Sequence, residues 1–355
     1  MKDSITLSID TLGSETQLKD ICHGLNLSAE RNINFKYLLY GDEQELKKNI
    51  SYFKPLTKVS EIIHCEEVVE MTDVPSDAIK NKKSSSMSRA IESVSKKNSD
   101  AALSFGNTGA LMTFALLMIK TLTDIRRPSI ASIWPNLLGD SVILDLGANT
   151  KQDSRFLIDN AFLGASLASV LFQMDKPSIG LLNVGVEDNK GNDEIKAAAE
   201  SLRNLSRKNI INYYGFVEGN DISLGKTNVI VTDGFTGNIA LKTAEGTAKM
   251  IQSNLRNAFN SSISSKLGYT MSSQALKTMS DKLDPRVHNC GILMGLNSLV
   301  VKCHGESEFK GVSYATDIIH SLLSNNVNEK IEEYLRKMKD SPDNWLLKKE
   351  IKLLL

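Results

Sequence analysis

Cysteine is scarce: four among 355 residues. Cys22, Cys65, Cys290 and Cys303 show no CxxC spacing, so a zinc ribbon or finger is not expected and no metal set is read. Four scattered thiols suit a reducing, cytoplasmic setting. An excess of either charge is missing too. Lys and Arg number 42 and Asp and Glu 42, for a formal net charge of zero. A bulk nucleic-acid binder would be basic, so nucleic acid is not an expected partner. A local basic patch for an acidic partner stays open. No apolar run is long enough to cross a bilayer. Residues 109–119, interrupted by Thr113 and closed by Lys120, fall short of the ~20 that a span requires. The first ten residues carry Lys2 and Asp3 and no apolar core of a secretory signal. GxxxxGK[ST] and GxGxxG are absent, so ATP and NAD have no motif behind them. GxSxG and HExxH are absent as well, and a covalent serine enzyme or a zinc protease is not visible.

What is present is a soluble-protein mix, 41% hydrophobic and 24% charged, in one large domain or two joined ones. One unit recurs along it. A short apolar run ends in Gly, Asn, Ser or Asp, and a helix-like stretch follows. Residues 4–9, 100–105, 141–144, 178–182, 228–231 and 298–302 are such runs. Near-continuous apolar strands alternating with helices predict an α/β fold with a doubly wound, mostly parallel sheet. Ligands of such sheets bind at the carboxyl ends of the strands. Six polar loop tips are therefore expected to form one site, although each would also serve as a plain strand-to-helix turn.

Residues 239–284 break the alternation and read as two long helices, an inserted helical hairpin at about 239–287. Its apolar residues suit core packing, a dimer contact or a membrane surface. Residues 326–355 read as a charged helical tail on an α/β domain covering 1–325.

Five groups could carry chemistry. Lys82-Lys83-Ser84-Ser85-Ser86-Met87 precedes a helix, whose first N–H groups and flanking lysines would suit phosphate or a simple cap. Gly106-Asn107-Thr108-Gly109-Ala110 offers donors at the start of an apolar helix. Asn183-Val184-Gly185, running on to Lys190-Gly191-Asn192, can place an ammonium over a strand end or simply be a solvated loop. Asp233-Gly234-Phe235-Thr236-Gly237-Asn238 enters a helix with Lys242 one turn on. His304 stands last, as a catalyst or a structural histidine. A site rich in Asn, Ser, Thr, Lys and backbone N–H binds an oxyanion and stabilises transition-state charge without an enzyme nucleophile.

In this order, these strings resemble the PlsX family, the fatty acyl-acyl carrier protein:phosphate acyltransferases of phospholipid synthesis. Arg127-Pro128, Leu144-Asp145-Leu146-Gly147-Ala148-Asn149, Tyr214-Gly215-Phe216-Val217-Glu218-Gly219 and Val300 to Gly305 complete the match, over about residues 5–320. The resemblance implies transfer of a fatty acyl group from acyl carrier protein to inorganic phosphate, giving acyl phosphate for phosphatidic acid synthesis. It implies a fold like isocitrate dehydrogenase and phosphotransacetylase, a homodimer peripherally associated with membrane, and no metal or organic cofactor. Carried residue by residue, it makes Lys190 and Asn238 catalytic, with His304 as a further candidate. It places phosphate or acyl phosphate among Lys83, Ser85, Ser86, Asn107, Thr108, Gly109, Asn149, Asn183, Gly185, Gly191, Asn192, Asp233 and Gly237. Asp233 is expected to orient Lys190, and Arg126, Arg127, Arg256 and Lys266 to meet the acidic carrier. Two departures stand out. The family's Asp-x-x-Gly-Gly-Asp is here Asp10-Thr11-Leu12-Gly13-Ser14-Glu15, and Asn289-Cys290-Gly291-Ile292 replaces a Gly-Gly-Ala-Pro. The nearest rival reading is a phosphate acetyl- or butyryltransferase using coenzyme A; a rival of another class is an inactive membrane scaffold.

Overall fold

All six expected strands lie in a single sheet, and five more complete it. The computed structural model describes residues 4–31, 34–151, 153–283, 290–304 and 307–339. The strands are β1 (Ile5–Asp10), β2 (Phe35–Gly41), β3 (Ser60–His64), β4 (Ala101–Ser104), β5 (Ser129–Asn136), β6 (Gly139–Leu144), β7 (Ser178–Leu182), β8 (Asn212–Val217), β9 (Val229–Val231), β10 (Cys290–Met294) and β11 (Leu299–Cys303). Their order is β3-β2-β1-β4-β11-β10-β5-β6-β9-β7-β8. The helices are α1 (Leu18–Glu30), α2 (Glu43–Ile50), α3 (Lys54–Val59), α4 (Pro75–Asn81), α5 (Ser86–Ser95), α6 (Thr108–Met118), α7 (Ser154–Phe172), α8 (Asp193–Arg207), α9 (Gly219–Leu224), α10 (Gly234–Asn260), α11 (Ile263–Leu283), α12 (Phe309–Ser324) and α13 (Val327–Lys339).

Seven neighbouring strand pairs are parallel. The other three, β10·β11, β10·β5 and β5·β6, are antiparallel. That local reversal has a consequence for the site. β1, β4 and β11 run one way, whereas β6, β9 and β7 run the other. The carboxyl ends of the two halves therefore emerge in opposite strand senses, and the expected single ring of six loop tips divides into two groups.

Alternation along the strands sends one set of side chains to each face. Leu103, Val301 and Val231 pack with α1, α7, α8, α12 and α13 residues. Ala102, Val300 and Ile230 face the other way, toward α5, α6 and α9. α7 is the one helix among the described residues long and apolar enough to cross a membrane, but 83% of its apolar window is buried between the sheet and its neighbouring helices. Its composition answers to a two-sided core position.

The hairpin begins earlier than the pattern suggests. Asp233 accepts a hydrogen bond from the Thr236 N–H (2.8 Å), so the glycine-rich turn is itself the first turn of α10. Only Gly234 and Gly237 of this 27-residue helix are buried. It stands off the sheet and pairs with α11, where Phe259 and Tyr269 meet edge-on at 5.3 Å. The charged tail also differs from expectation. α13 buries Val327, Ile331, Tyr334 and Leu335 in the main core, with the Tyr334 ring 6.2 Å from Phe162 of α7. Its stripe of apolar residues makes it part of the domain; residues 340–355 of the expected tail lie outside the described residues.

Candidate active site

The second half of the sheet assembles the larger group. Asp145, at the end of β6, is fully buried. Its Oδ1 accepts from the N–H groups of Ile130 (3.1 Å), Gly147 (3.2 Å) and Ala148 (2.9 Å). Its Oδ2 accepts from the Asn149 N–H (2.8 Å) and Nδ2 (3.1 Å). Burial pushes its carboxyl pKa up, and these hydrogen bonds oppose the shift. The carboxylate thus winds residues 145–149 into a tight loop, and Asn149 Nδ2 also donates to the Pro128 carbonyl (2.9 Å). The start of α10 rests on that loop. The Gly234 N–H donates to the Asn149 carbonyl (3.0 Å), and a side chain on Gly147 would meet Asn238 Cβ at 3.5 Å.

The loop after β7 closes the same end. The Asn183 N–H donates to the Val217 carbonyl (2.9 Å), and its Nδ2 to the Lys190 carbonyl (3.3 Å). A side chain on Gly185 would meet Glu187 Oε2 at 2.7 Å and Lys190 Cγ at 3.2 Å. Gly191, at φ +85°, lies directly against the Asn183 amide, where only glycine fits. Asn192 caps α8 through the Ile195 N–H (2.9 Å). Lys190 and Asn238 are both exposed.

From this polar mouth an apolar groove of about 1220 Å³ runs between α10, α9 and β5. Asn183, Gly191, Asn192 and Asp233 line it at one end, and Trp134, Ala244, Ala248 and Ile251 line its walls.

The first half forms a separate polar group. Asp10, Ser104 and Lys302 are register partners across β1, β4 and β11. Asp10 Oδ1 accepts from Ser86 Oγ (2.5 Å) and Oδ2 from Ser104 Oγ (2.7 Å). Burial pushes the Asp10 carboxyl up, against those two hydrogen bonds. Lys302 donates to the Phe105 carbonyl (3.1 Å) and to the Cys303 carbonyl. Burial brings its pKa down to about 8, opposed by Cys303, Asp10 and Glu15 and reinforced by Lys242 of α10. Lys302 is thus the charge that both this group and α10 feel. Ser104 and Lys302 lie within the apolar runs 100–105 and 298–302; their register with Asp10 is visible only once the strands are paired.

Several expected ligands prove to be structural. Ser85 caps α5, accepting from the Ser88 N–H (3.3 Å) and donating to the Lys82 carbonyl (2.7 Å). Ser86 is committed to Asp10. Asn107 caps α6 through the Ala110 N–H (3.0 Å), and its Nδ2 faces the carbonyls of Glu70, Met71 and Asp73 at 2.9–3.3 Å. The side-chain donors of these three residues are engaged by protein groups, because helix starts draw on the same polar groups that mark them. Lys83 is exposed, while Lys82 pairs with Asp73 (2.5 Å). Thr108 is exposed, and Gly109 abuts Pro75. Asp233 does not orient Lys190; its second oxygen accepts from Thr236 Oγ1 (2.6 Å). His304 is half-buried at the end of β11, in the first-half group, and Gly305 lies outside the described residues. Arg126 is held bidentate by Asp153 (2.5 and 3.0 Å), and Arg127, Arg256 and Lys266 are exposed.

The model of a family described as "Fatty acid synthesis protein", the PlsX family, matches residues 5–330. The chain belongs to that family. It is 42% identical over 334 residues to a phosphate acyltransferase of Azorhizobium caulinodans, covering 94% of each chain. It is 42% identical over 336 residues to one of Xanthobacter autotrophicus, again covering 94% of each. This member is accordingly an acyltransferase that uses phosphate as acceptor, in fatty acid and phospholipid synthesis. Among solved structures, a phosphotransacetylase from Streptococcus pyogenes superposes with a TM-score of 0.58 at 17% identity, over 93% of this chain and 95% of that one. The EutD phosphotransacetylase from Staphylococcus aureus gives 0.55 at 14%, over 90% and 94%. At these identities the likeness is one of fold, and it agrees with the architecture expected from the sequence.

Proposed function

We propose that the chain transfers a long fatty acyl group from an acyl carrier protein to orthophosphate, releasing acyl phosphate and free carrier. The groove carries this reading. Ordinary ligand pockets run to roughly 300–1,000 Å³, and an apolar trough of about 1220 Å³ is far larger than an acetyl group requires. Along α10 it extends from Thr236 to Ile251, about 22 Å at ~1.5 Å per residue. One leaflet of acyl chains in a bilayer occupies ~15 Å.

In this reading the thioester lies at the mouth and the chain along the trough. Phosphate sits near the start of α10, where the helix dipole favours an anion; the Gly234 and Thr236 N–H groups there are already engaged by Asn149 and by the Asp233 cap. A phosphate oxygen attacks the carbonyl carbon and the carbon–sulfur bond breaks. The thiolate takes the proton that phosphate gives up, so no acyl group passes through the protein. Lys190 and Asn238 stabilise the carbonyl oxygen as it becomes anionic. Holding both reactants in near-attack geometry supplies several kcal/mol, up to ~7–11.

The enzyme works in the cytoplasm as a homodimer. Ile263, Leu267 and Met271, 82%, 63% and 89% exposed near the hairpin tip, support peripheral contact with a lipid surface. The deciding experiment supplies phosphate with either palmitoyl-carrier protein or acetyl-coenzyme A. Phosphate-dependent cleavage of the first and not the second is expected; the reverse preference would assign the chain to the coenzyme A-dependent class.

A further inference from the structure

The groove is unevenly built. On the α10 side small residues such as Ala240, Ala244 and Ala248 alternate with the larger Ile239, Leu241, Glu245 and Ile251. On the β5 side stands Trp134, the largest side chain in the lining and one of only two tryptophans in the chain. Register places it well inside the trough. Ala131 pairs with Leu144, at the mouth end of β6, and Trp134 pairs with Ser141 three positions on. At ~3.3 Å per residue the Trp134 backbone lies about 10 Å back from the end of β6. It is half-buried, and it packs against the same buried apolar cluster as Ala240 and Leu241 do. Trp134 and the alanines of α10 line the same groove, so a chain entering from the Asn183–Asp233 end runs alongside both.

We propose that Trp134, acting against Ala244 and Ala248, sets the length of acyl chain that the enzyme accepts. The proposal rests on the acyl-transfer reading above, and it assigns substrate selection to the middle and far parts of the trough, away from Lys190 and Asn238. Chain atoms beyond Trp134 either find room beside Ala248 and Ile251 or are turned away. A methylene gained or lost in an apolar site changes specificity by roughly 10-fold or more. Trp134→Ala should widen the groove and favour longer chains. Ala248→Phe should fill the far end and favour shorter ones.

Two measurements test this. The first is kcat/KM across carrier thioesters of graded length. The ratio of long to medium chains is expected to rise roughly 10-fold or more in Trp134→Ala and to fall by as much in Ala248→Phe. Ratios unchanged in both variants would overturn the gauge. The second needs no turnover. In a Trp345→Phe background Trp134 is the sole tryptophan, and its fluorescence is followed as acyl-carrier thioesters brominated along the chain bind without phosphate. Quenching by a mid-chain bromine but not by one beside the thioester is expected; no quenching at any position would overturn it. Failure of wild-type enzyme to cleave any thioester with phosphate would instead remove the acyl-transfer reading, and the quenching would still report on the groove.

Discussion

Gly237 lies so close to the Asp145 backbone carbonyl that a methyl group on it would overlap that oxygen and stand 2.9 Å from Thr232 Cγ2. This contact docks the first turn of α10 on the loop after β6 and thereby places Asn238 beside Gly147. Gly237→Ala must push the two apart. It is expected to cost about 1–3 kcal/mol, the usual scale of overpacking, read by urea unfolding, and to lower turnover because Asn238 shifts with the helix. Gly246→Ala on the same helix meets nothing within 4 Å. It should instead gain roughly 0.5–1 kcal/mol from helix propensity.

Lys190 and Asn238 are exposed, so removing either leaves the core intact. One oxyanion donor is worth roughly 10²–10³ in rate. Lys190→Ala and Asn238→Ala should each lose at least that in kcat while their circular dichroism and thermal midpoints stay close to wild type. Near-normal turnover in both would remove them from the mechanism.

Asn107 is assigned to structure. Asn107→Ala removes a helix cap worth about 1 kcal/mol and leaves the 70–73 carbonyls without their donor. The thermal midpoint should fall while the KM for phosphate holds. A raised KM at unchanged stability would return Asn107 to the phosphate site.

Lys302 supplies a pH signature. Its folded pKa of about 8 lies below the ordinary lysine value of 10.5. Between those two values the unfolded chain binds the extra proton, so stability rises with pH across that window. Burial of the ammonium is a cost below pH 8 that is relieved on going toward 10.5. The stability of wild type relative to Lys302→Met should therefore improve from pH 8 upward, measured by urea denaturation at each pH. A difference that does not vary with pH would mean that Lys302 titrates as a solvated lysine.

The fold was largely legible where strands are buried on both faces. β1, β4, β6, β7, β9 and β11 read as apolar runs ending in polar turns, and a helix follows each of the six. β2, β3, β5, β8 and β10 were not singled out. β3 and β8 are edge strands with half-exposed residues, and β5 and β10 enter by antiparallel pairing that no strand-to-helix unit announces. The reversal they introduce is what separates the two polar groups. Site residues were legible as types and not as roles. Ser85, Asn107 and Asp233 look like anion ligands because a cap and an anion site draw on the same helix-start chemistry, and only the hydrogen bonds distinguish them. Trp134 and Lys302 act through what faces them across the fold, which local spacing does not encode.

In the proposed reaction phosphate itself attacks the bound thioester. A rapid-quench single turnover with labelled palmitoyl-carrier protein, followed by intact mass measurement of the enzyme, tests it most directly. Acyl phosphate should appear at the rate at which carrier is released, with the protein's mass unchanged at every time point. A protein heavier by one acyl group, formed before acyl phosphate and discharged by phosphate, would contradict it.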